Sequence, residues 1–288
     1  MKCAVIDIGS NSVRLLLWAD GCSLNKKIYT TRLGEGIAFS PVLRPQAMER
    51  TLEAIGECLR QANLFGAEKV YAFATAAVRS AENGREFTRQ VFDRYGIQID
   101  VLSGEREAEL GMLGALGGKD GGIVDVGGAS TEVTVGAGGK VIYAVSADVG
   151  AVRLKYACGE DVPALEKYIS EKISVYGKIP VCPVTAIGGT ATSLAALEYE
   201  VEPYDPKKIQ GSILTTEQIE KWAKRLLSLS QEERLSLKGM DKRRADILGG
   251  GALLLGFVLK KMGADKATVS EQDNLEGYLS DRLRRAEI

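Results

Sequence analysis

Residues 123–133 read IVDVGGASTEV. An apolar, β-branched run of the kind that strands favour carries Asp125, then breaks into Gly127, Gly128 and Ala129 before Ser130, Thr131 and Glu132. A carboxylate in a buried strand is costly unless something pairs with it. Glycines let backbone N–H groups approach an anion without a side chain in the way, and hydroxyls add further donors. An acid beside that anion is tolerable only if a divalent cation lies between them or if the acid orients a water.

The pattern occurs twice. AVIDIGSNSVRLLL (4–17) aligns with GIVDVGGASTEVTV (122–135), placing Asp7 on Asp125, Gly9 on Gly127 and Ser12 on Ser130 at a constant offset of 118 residues. Each copy reads as strand, acidic turn, strand, and each is followed by a longer α/β region. Two copies of one supersecondary unit predict two like-folded halves facing one another. Facing turns, each with its acid, would clamp a phosphate chain bridged by magnesium.

Composition narrows the chemistry. The chain has 288 residues, 45% hydrophobic and 26% charged, with 37 basic against 38 acidic side chains. That balance gives no bulk electrostatic reason to expect nucleic acid or a membrane surface as partner. Histidine is absent, which excludes Ser-His-Asp and Cys-His catalysis and histidine-held zinc or haem. Acid–base work falls to carboxylates, lysine, cysteine or tyrosine, and a metal would be a hard cation held by oxygens. Five cysteines without a CxxC pair read as free, buried thiols of a reducing cytoplasm. The start MKCAVIDIGS has no apolar core of a signal peptide, and the run at 248–259 is too short to span a bilayer. The expectation is a cytoplasmic protein.

Strand-like runs fall near 3–8, 13–19, 27–32, 69–74, 97–102, 122–126, 131–135, 140–146, 183–187 and 267–270. Helical periodicity falls near 45–64, 84–95, 105–116, 162–175, 189–197, 216–229, 242–262 and 275–285. Alternating strands and helices predict an α/β protein, and strands that follow one another directly predict hairpins and mixed sheets. The predicted domains are 1–118 and 119–273, with a C-terminal helix at about 274–288 packing back on the first.

Three further stretches carry candidate chemistry. Thr75 and Arg79 lie where a strand passes into a helix, the place an α/β ligand occupies, although Arg79 alone could be a solvated arginine. LSGEREAELGMLGAL (102–116) puts Glu105, Glu107 and Glu109 in the first turns of a helix, where acids also serve as simple dipole partners. AIGGTATSLAAL (186–197) runs from strand through Gly188, Gly189 and Thr190 into a helix; its N–H groups suit a phosphate or nucleotide, or the stretch is a tight connection needing small residues.

In this order the motifs resemble the exopolyphosphatase/guanosine pentaphosphate phosphohydrolase family, within the actin–hexokinase–Hsp70-like (ribonuclease H-like) superfold. The resemblance covers nearly the whole chain and includes SADVGAVRL, YDPKKIQGSILT and RRADILGGGALLLG. It implies two such domains around an interdomain cleft and hydrolysis of terminal phosphoanhydrides, with polyphosphate or guanosine penta- or tetraphosphate as ligand and magnesium (or manganese) as cofactor. A homodimer is also implied as an option.

The catalytic glutamate of the family maps to Glu107 and its arginine to Arg79. Its phosphate loops map to Gly9, Ser10, Asn11 and Ser12, and to Gly127, Gly128, Ala129, Ser130 and Thr131. Its metal-associated acids map to Asp7, Asp125 and Glu132. Glu107 would then aim or deprotonate the attacking water, while N–H groups, magnesium and Arg79 offset charge on the phosphoryl group.

The chain departs from the family pattern in places. Ala129 stands where a third glycine is typical, and a positive φ there would cost on the order of 1 kcal/mol. Arg106 stands where an acid is common. Asp273-Asn274-Leu275 replaces Gly-Leu-Arg, which removes an expected cation contact. Without a histidine-bearing helical extension, the chain reads as a short two-domain form. Lys207, Lys208, Lys242, Arg243 and Arg244 are candidates for a polyanion groove. Two other functions fit parts of the pattern: a small-molecule kinase of the same superfold, and a non-catalytic sensor of polyphosphate or guanosine tetraphosphate.

Overall fold

A computed structural model describes residues 1–37 and 41–286, and for Ala286 the backbone alone. The chain divides into two compact units: Met1–Leu110 with Asn274–Ile288, and Gly111–Asp273.

The first unit is built on a five-stranded sheet. Its strands are β1 (Lys2–Ile8), β2 (Ser12–Ala19), β3 (Cys22–Thr30), β4 (Lys69–Ala74) and β5 (Asp100–Val101), in the order β3-β2-β1-β4-β5. β1 to β3 form an antiparallel meander, and β4 and β5 continue the sheet in parallel. β1 is buried on both sides, which is why it reads as a near-continuous apolar run. Successive side chains alternate between the faces. Ala4, Ile6 and Ile8 pack with Leu52, Ile55 and Cys58 of the helix Pro45–Phe65 and with Phe87 of the helix Gly84–Tyr95. Cys3 and Val5 pack with Phe73, Leu110, Leu275, Tyr278 and Leu279. Asp7 shares the parity of Cys3 and Val5, so it belongs to the face covered by the helices Gly104–Leu116 and Asn274–Ala286.

The second unit repeats this plan. β6 (Gly121–Val126), β7 (Thr131–Ala137), β8 (Lys140–Ala147), β9 (Val184–Ile187), β10 (Ile213–Thr215) and β11 (Lys266–Val269) form a sheet in the order β10-β11-β9-β6-β7-β8. The meander β6–β8 is antiparallel and β9 and β11 extend it in parallel. One face packs on the helix Leu248–Met262 and its neighbours. The other carries Ile123 and Ile187 against Met112.

The 118-residue offset holds well beyond the quoted motif. The β2–β3 turn has Asp20 and Gly21 at φ +51° and +85°, and the β7–β8 turn has Gly138 and Gly139 at +59° and +72°. Two successive positive φ values match the right-handed twist of a hairpin, and glycine reaches them without strain. A register irregularity lies between Leu17 and Trp18 in one meander and between Val135 and Gly136 in the other, again at the same offset.

Expected and observed elements differ where polar or short segments carry little periodicity. β3 starts at Cys22 rather than 27, because its first half is an exposed polar edge without alternation. The helix expected over 242–262 starts at Leu248. Before it, the N–H of Arg244 bonds the Asp241 carbonyl and that of Ile247 bonds the Arg244 carbonyl, so the chain runs through tight turns. The helix Ala151–Cys158 and strand β10 had no sequence signal of their own. All five cysteines are free, but Cys22 is exposed, contrary to the expectation of burial.

Candidate active site

In the first unit, chemistry-bearing residues gather at the carboxyl ends of β1, β4 and β5, where parallel strands of α/β proteins present ligands. The Gly9 N–H bonds the Ser12 carbonyl at 3.0 Å and closes the turn after β1. Next to it, Thr75 follows β4, and its N–H bonds the Ile8 carbonyl. Leu102 follows β5, with its N–H on the Ala74 carbonyl. The helix Gly104–Leu116 then starts under a Ser103 cap whose hydroxyl accepts from the Arg106 N–H at 3.1 Å.

Glu107 and Arg79 meet there. Arg79 Nη1 donates to Glu107 Oε2 at 3.0 Å and to the Leu102 carbonyl at 2.8 Å. The Arg79 side chain remains 34% exposed and that of Glu107 28%, so the pair is held in place yet reachable from water. Asp7 is buried, and its Oδ2 accepts from Arg14 Nε at 2.8 Å, its cross-strand register partner on β2.

The second unit uses the same backbone device with different side chains. The Gly127 N–H bonds the Ser130 carbonyl at 3.0 Å. The Ala151 N–H bonds the Gly127 carbonyl and the Val152 N–H bonds the Gly128 carbonyl, both at 2.9 Å, tying the turn to the start of the next helix. Neither Ala129 nor the glycines of either turn has a positive φ. The φ cost expected for Ala129 is therefore not incurred. Thr131 is buried, with its hydroxyl on the Val149 carbonyl at 2.6 Å.

Asp125 on β6 faces Glu132 on β7 in direct register. Like charges placed directly opposite repel one another. Ser146 donates to Glu132 Oε1 at 2.7 Å. At the end of β9, Gly188 has φ +77°, and a Cβ there would come within 2.3 Å of Asp125 Oδ1. Glycine is thus required twice over, by conformation and by space.

Gly189 is pressed by the Arg244 guanidinium, which a Cβ would meet at 2.0 Å. Burial lowers the pKa of that guanidinium below its ordinary value, against the opposing effect of Asp241. Thr190 is buried, its hydroxyl donating to the Val126 carbonyl at 2.9 Å. Thr190 therefore ties the start of the helix Gly188–Glu198 to the end of β6.

The remaining sequence candidates fall in several places. Lys207 and Lys208 are exposed on the short helix Pro206–Ile209, and Lys242 is exposed. Arg243 is engaged by Asp241 at 2.9 Å. Leu275 is fully buried in the core of the first unit. Sequence reasoning passed over Arg14 and the Tyr204–Glu271 hydrogen bond. Arg14 had a signal: it stands 118 residues before Glu132, at the equivalent strand position.

The donor set fits a hard cation of the magnesium type. Among the described residues there is no cluster of three or more carboxylates or thiolates. Magnesium, however, is commonly bound by one or two carboxylates plus substrate phosphates and water. Asp125 and Glu132 supply such a pair, and the absent Gly188 side chain leaves room at Asp125 Oδ1.

The chain is 31% identical to exopolyphosphatase 2 of Mycobacterium tuberculosis over 309 residues, covering 96% of this chain and 97% of that one. It is 25% identical to the guanosine-5'-triphosphate,3'-diphosphate pyrophosphatase of Photobacterium profundum, covering 98% of this chain and 59% of the longer relative. The crystal structure of the Aquifex aeolicus member of the Ppx/GppA protein family superposes with a TM-score of 0.84 at 32% identity, covering 100% of this chain and 99% of that one. The family model of the Ppx/GppA phosphatases matches residues 21–286. With the repeated β-meander and its paired turns, these likenesses establish that the chain belongs to the Ppx/GppA phosphatase family.

Proposed function

We propose that the protein hydrolyses the terminal phosphoanhydride bond of a polyphosphate or a guanosine pentaphosphate, with Glu107 activating the attacking water. The observation that carries this reading is the Arg79–Glu107 contact at 3.0 Å, in segments that follow the carboxyl ends of β4 and β5, in the sheet whose strand β1 runs parallel to them and leads into the Gly9–Ser12 turn. In a chain without histidine, an accessible carboxylate is the natural proton acceptor, and the arginine contact fixes its orientation.

The residue roles follow from their chemistry. The turns Gly9–Ser12 and Gly127–Ser130 offer the N–H groups that do not close the turns, together with serine hydroxyls, to phosphate oxygens, while the buried Thr131 and Thr190 hydroxyls hold the backbone through the Val149 and Val126 carbonyls. Glu107 orients a water and takes its proton as the water oxygen bonds to the terminal phosphorus. The bond from that phosphorus to the bridging oxygen breaks, and the shortened chain leaves with the bonding electrons. Arg79 offsets the charge that spreads over the phosphoryl oxygens. Magnesium, when bound, would be held by Asp125, Glu132 and phosphate oxygens and would neutralise charge on the phosphate chain. Asp7, neutralised by Arg14, contributes to the first turn as part of an ion pair.

Phosphate release from polyphosphate and from guanosine pentaphosphate, measured side by side with magnesium and with a chelator, tests the proposal. The expected result is magnesium-dependent release of inorganic phosphate from at least one of them. Release from neither substrate at any magnesium concentration would overturn it.

A further inference from the structure

The segment that sets the geometry of Arg79 and Glu107 is short. It runs from Asp100 on β5 through Leu102, whose carbonyl holds Arg79, and Ser103, which caps the helix, to Arg106 and Glu107. Both ends of this segment are gripped by adjacent turns of the C-terminal helix Asn274–Ala286. At the first end, the Tyr278 hydroxyl donates to Asp100 Oδ2 at 2.5 Å, and Arg282 pairs with the same carboxylate while donating from Nε to the Tyr278 oxygen at 2.9 Å. At the other end, Arg106 Nη2 pairs with Asp281 Oδ1, and Arg285 holds the second oxygen of Asp281 at 3.0 Å. Pairing with the Asp281 carboxylate raises the Arg106 pKa, and Arg106 Nη1 also donates to Glu109 Oε2 at 2.6 Å.

Apolar packing fills the space between the two grips. Leu102 and Leu110 are buried with Leu275 and Leu279, and Phe73 stacks on Tyr278 at 4.7 Å between ring centroids. Arg106 points into this brace while its neighbour Glu107 pairs with Arg79. An acid at position 106 would meet Asp281 as a like charge. The arginine and Asp281 thus form a matched pair, which accounts for the residue at 106.

We propose that the C-terminal helix is a positioning brace for the Arg79–Glu107 pair and that Asp281, acting through Arg106, is a positioning residue for phosphoanhydride hydrolysis. The inference rests on the catalytic reading of Glu107. The brace fixes the first turn of the helix that presents Glu107, and small displacements of a catalytic group reduce turnover steeply.

The test compares Asp281→Asn, Asp281→Glu and Glu107→Gln with the unaltered full-length protein. Steady-state phosphate release from polyphosphate gives kcat and KM, and denaturant unfolding gives the folded fraction under assay conditions. Asp281→Asn is expected to lower kcat about tenfold or more with KM within about twofold, and Asp281→Glu to restore most of the loss. Unchanged kcat in Asp281→Asn, beside an inactive Glu107→Gln, overturns the brace and leaves the catalytic reading intact. A kcat loss that merely follows the unfolded fraction also overturns it. Full activity in Glu107→Gln removes the catalytic reading on which the brace depends.

Discussion

The two β-meanders share a backbone and differ in charge. Gly9 and Gly127 close their turns with the same N–H to carbonyl bond at 3.0 Å, and the following hairpins turn through positive-φ pairs at the same offset. Even the next contact is matched. The Gly34 N–H bonds the Ser10 carbonyl in one unit, and the Val152 N–H bonds the Gly128 carbonyl in the other. The side chains there are exchanged: Gly34 faces Ser10, whereas Gly128 faces Val152. Room for one side chain exists in each pair, and the two copies fill it from opposite partners. At the acids the copies part company. Asp7 is neutralised inside the protein by Arg14, while Asp125 is set opposite Glu132. The backbone device for gripping phosphate is thus duplicated, while the acids are set differently: Asp7 against an arginine across the strands, Asp125 opposite a glutamate and in the field of the Arg244 guanidinium.

Substitutions can break this comparison, and the largest effect is expected at Gly188. Alanine there must adopt φ +77° and place its Cβ 2.3 Å from Asp125 Oδ1. Strain and overpacking together are expected to cost about 2–5 kcal/mol. Denaturant unfolding of Gly188→Ala would measure this, and an unchanged midpoint would mean that Asp125 does not sit against that glycine.

Next comes Arg14→Met, which takes the guanidinium from a buried carboxylate. Removing one partner of a fully buried pair costs 3–5 kcal/mol. The Arg14 side chain is 25% exposed, so about 2 kcal/mol is expected here. Stability loss in Arg14→Met with none in Glu132→Met would sharpen the contrast between the copies, and equal losses would erase it.

The smallest effect is expected at Ala129. Its φ is not positive, so Ala129→Gly should destabilise by less than about 1 kcal/mol through added freedom of the unfolded chain. A gain in stability would show that the alanine is strained after all.

Much of this was legible in the sequence because duplication left a trace in the hard positions. Aspartate, glycine and serine recur at one offset, and buried strands such as β1 and β6 declare themselves as apolar runs. What stayed hidden depends on partners far along the chain. Asp281 meets Arg106, and Tyr278 meets Asp100 across 178 residues, and no local periodicity announces either pairing. The same holds for Arg244, which lies against Gly189 although its own segment forms tight turns rather than the helix that its composition suggests. Short exposed elements such as the first half of β3 were missed for lack of an apolar face.

The central claim is that Glu107, held by Arg79, activates the attacking water. The direct measurement is kcat for phosphate release by Glu107→Gln with saturating polyphosphate and magnesium, together with equilibrium binding of the same polyphosphate. The account predicts a fall in kcat of roughly 10²–10⁴-fold, with binding retained. Turnover within tenfold of the unaltered protein would contradict it.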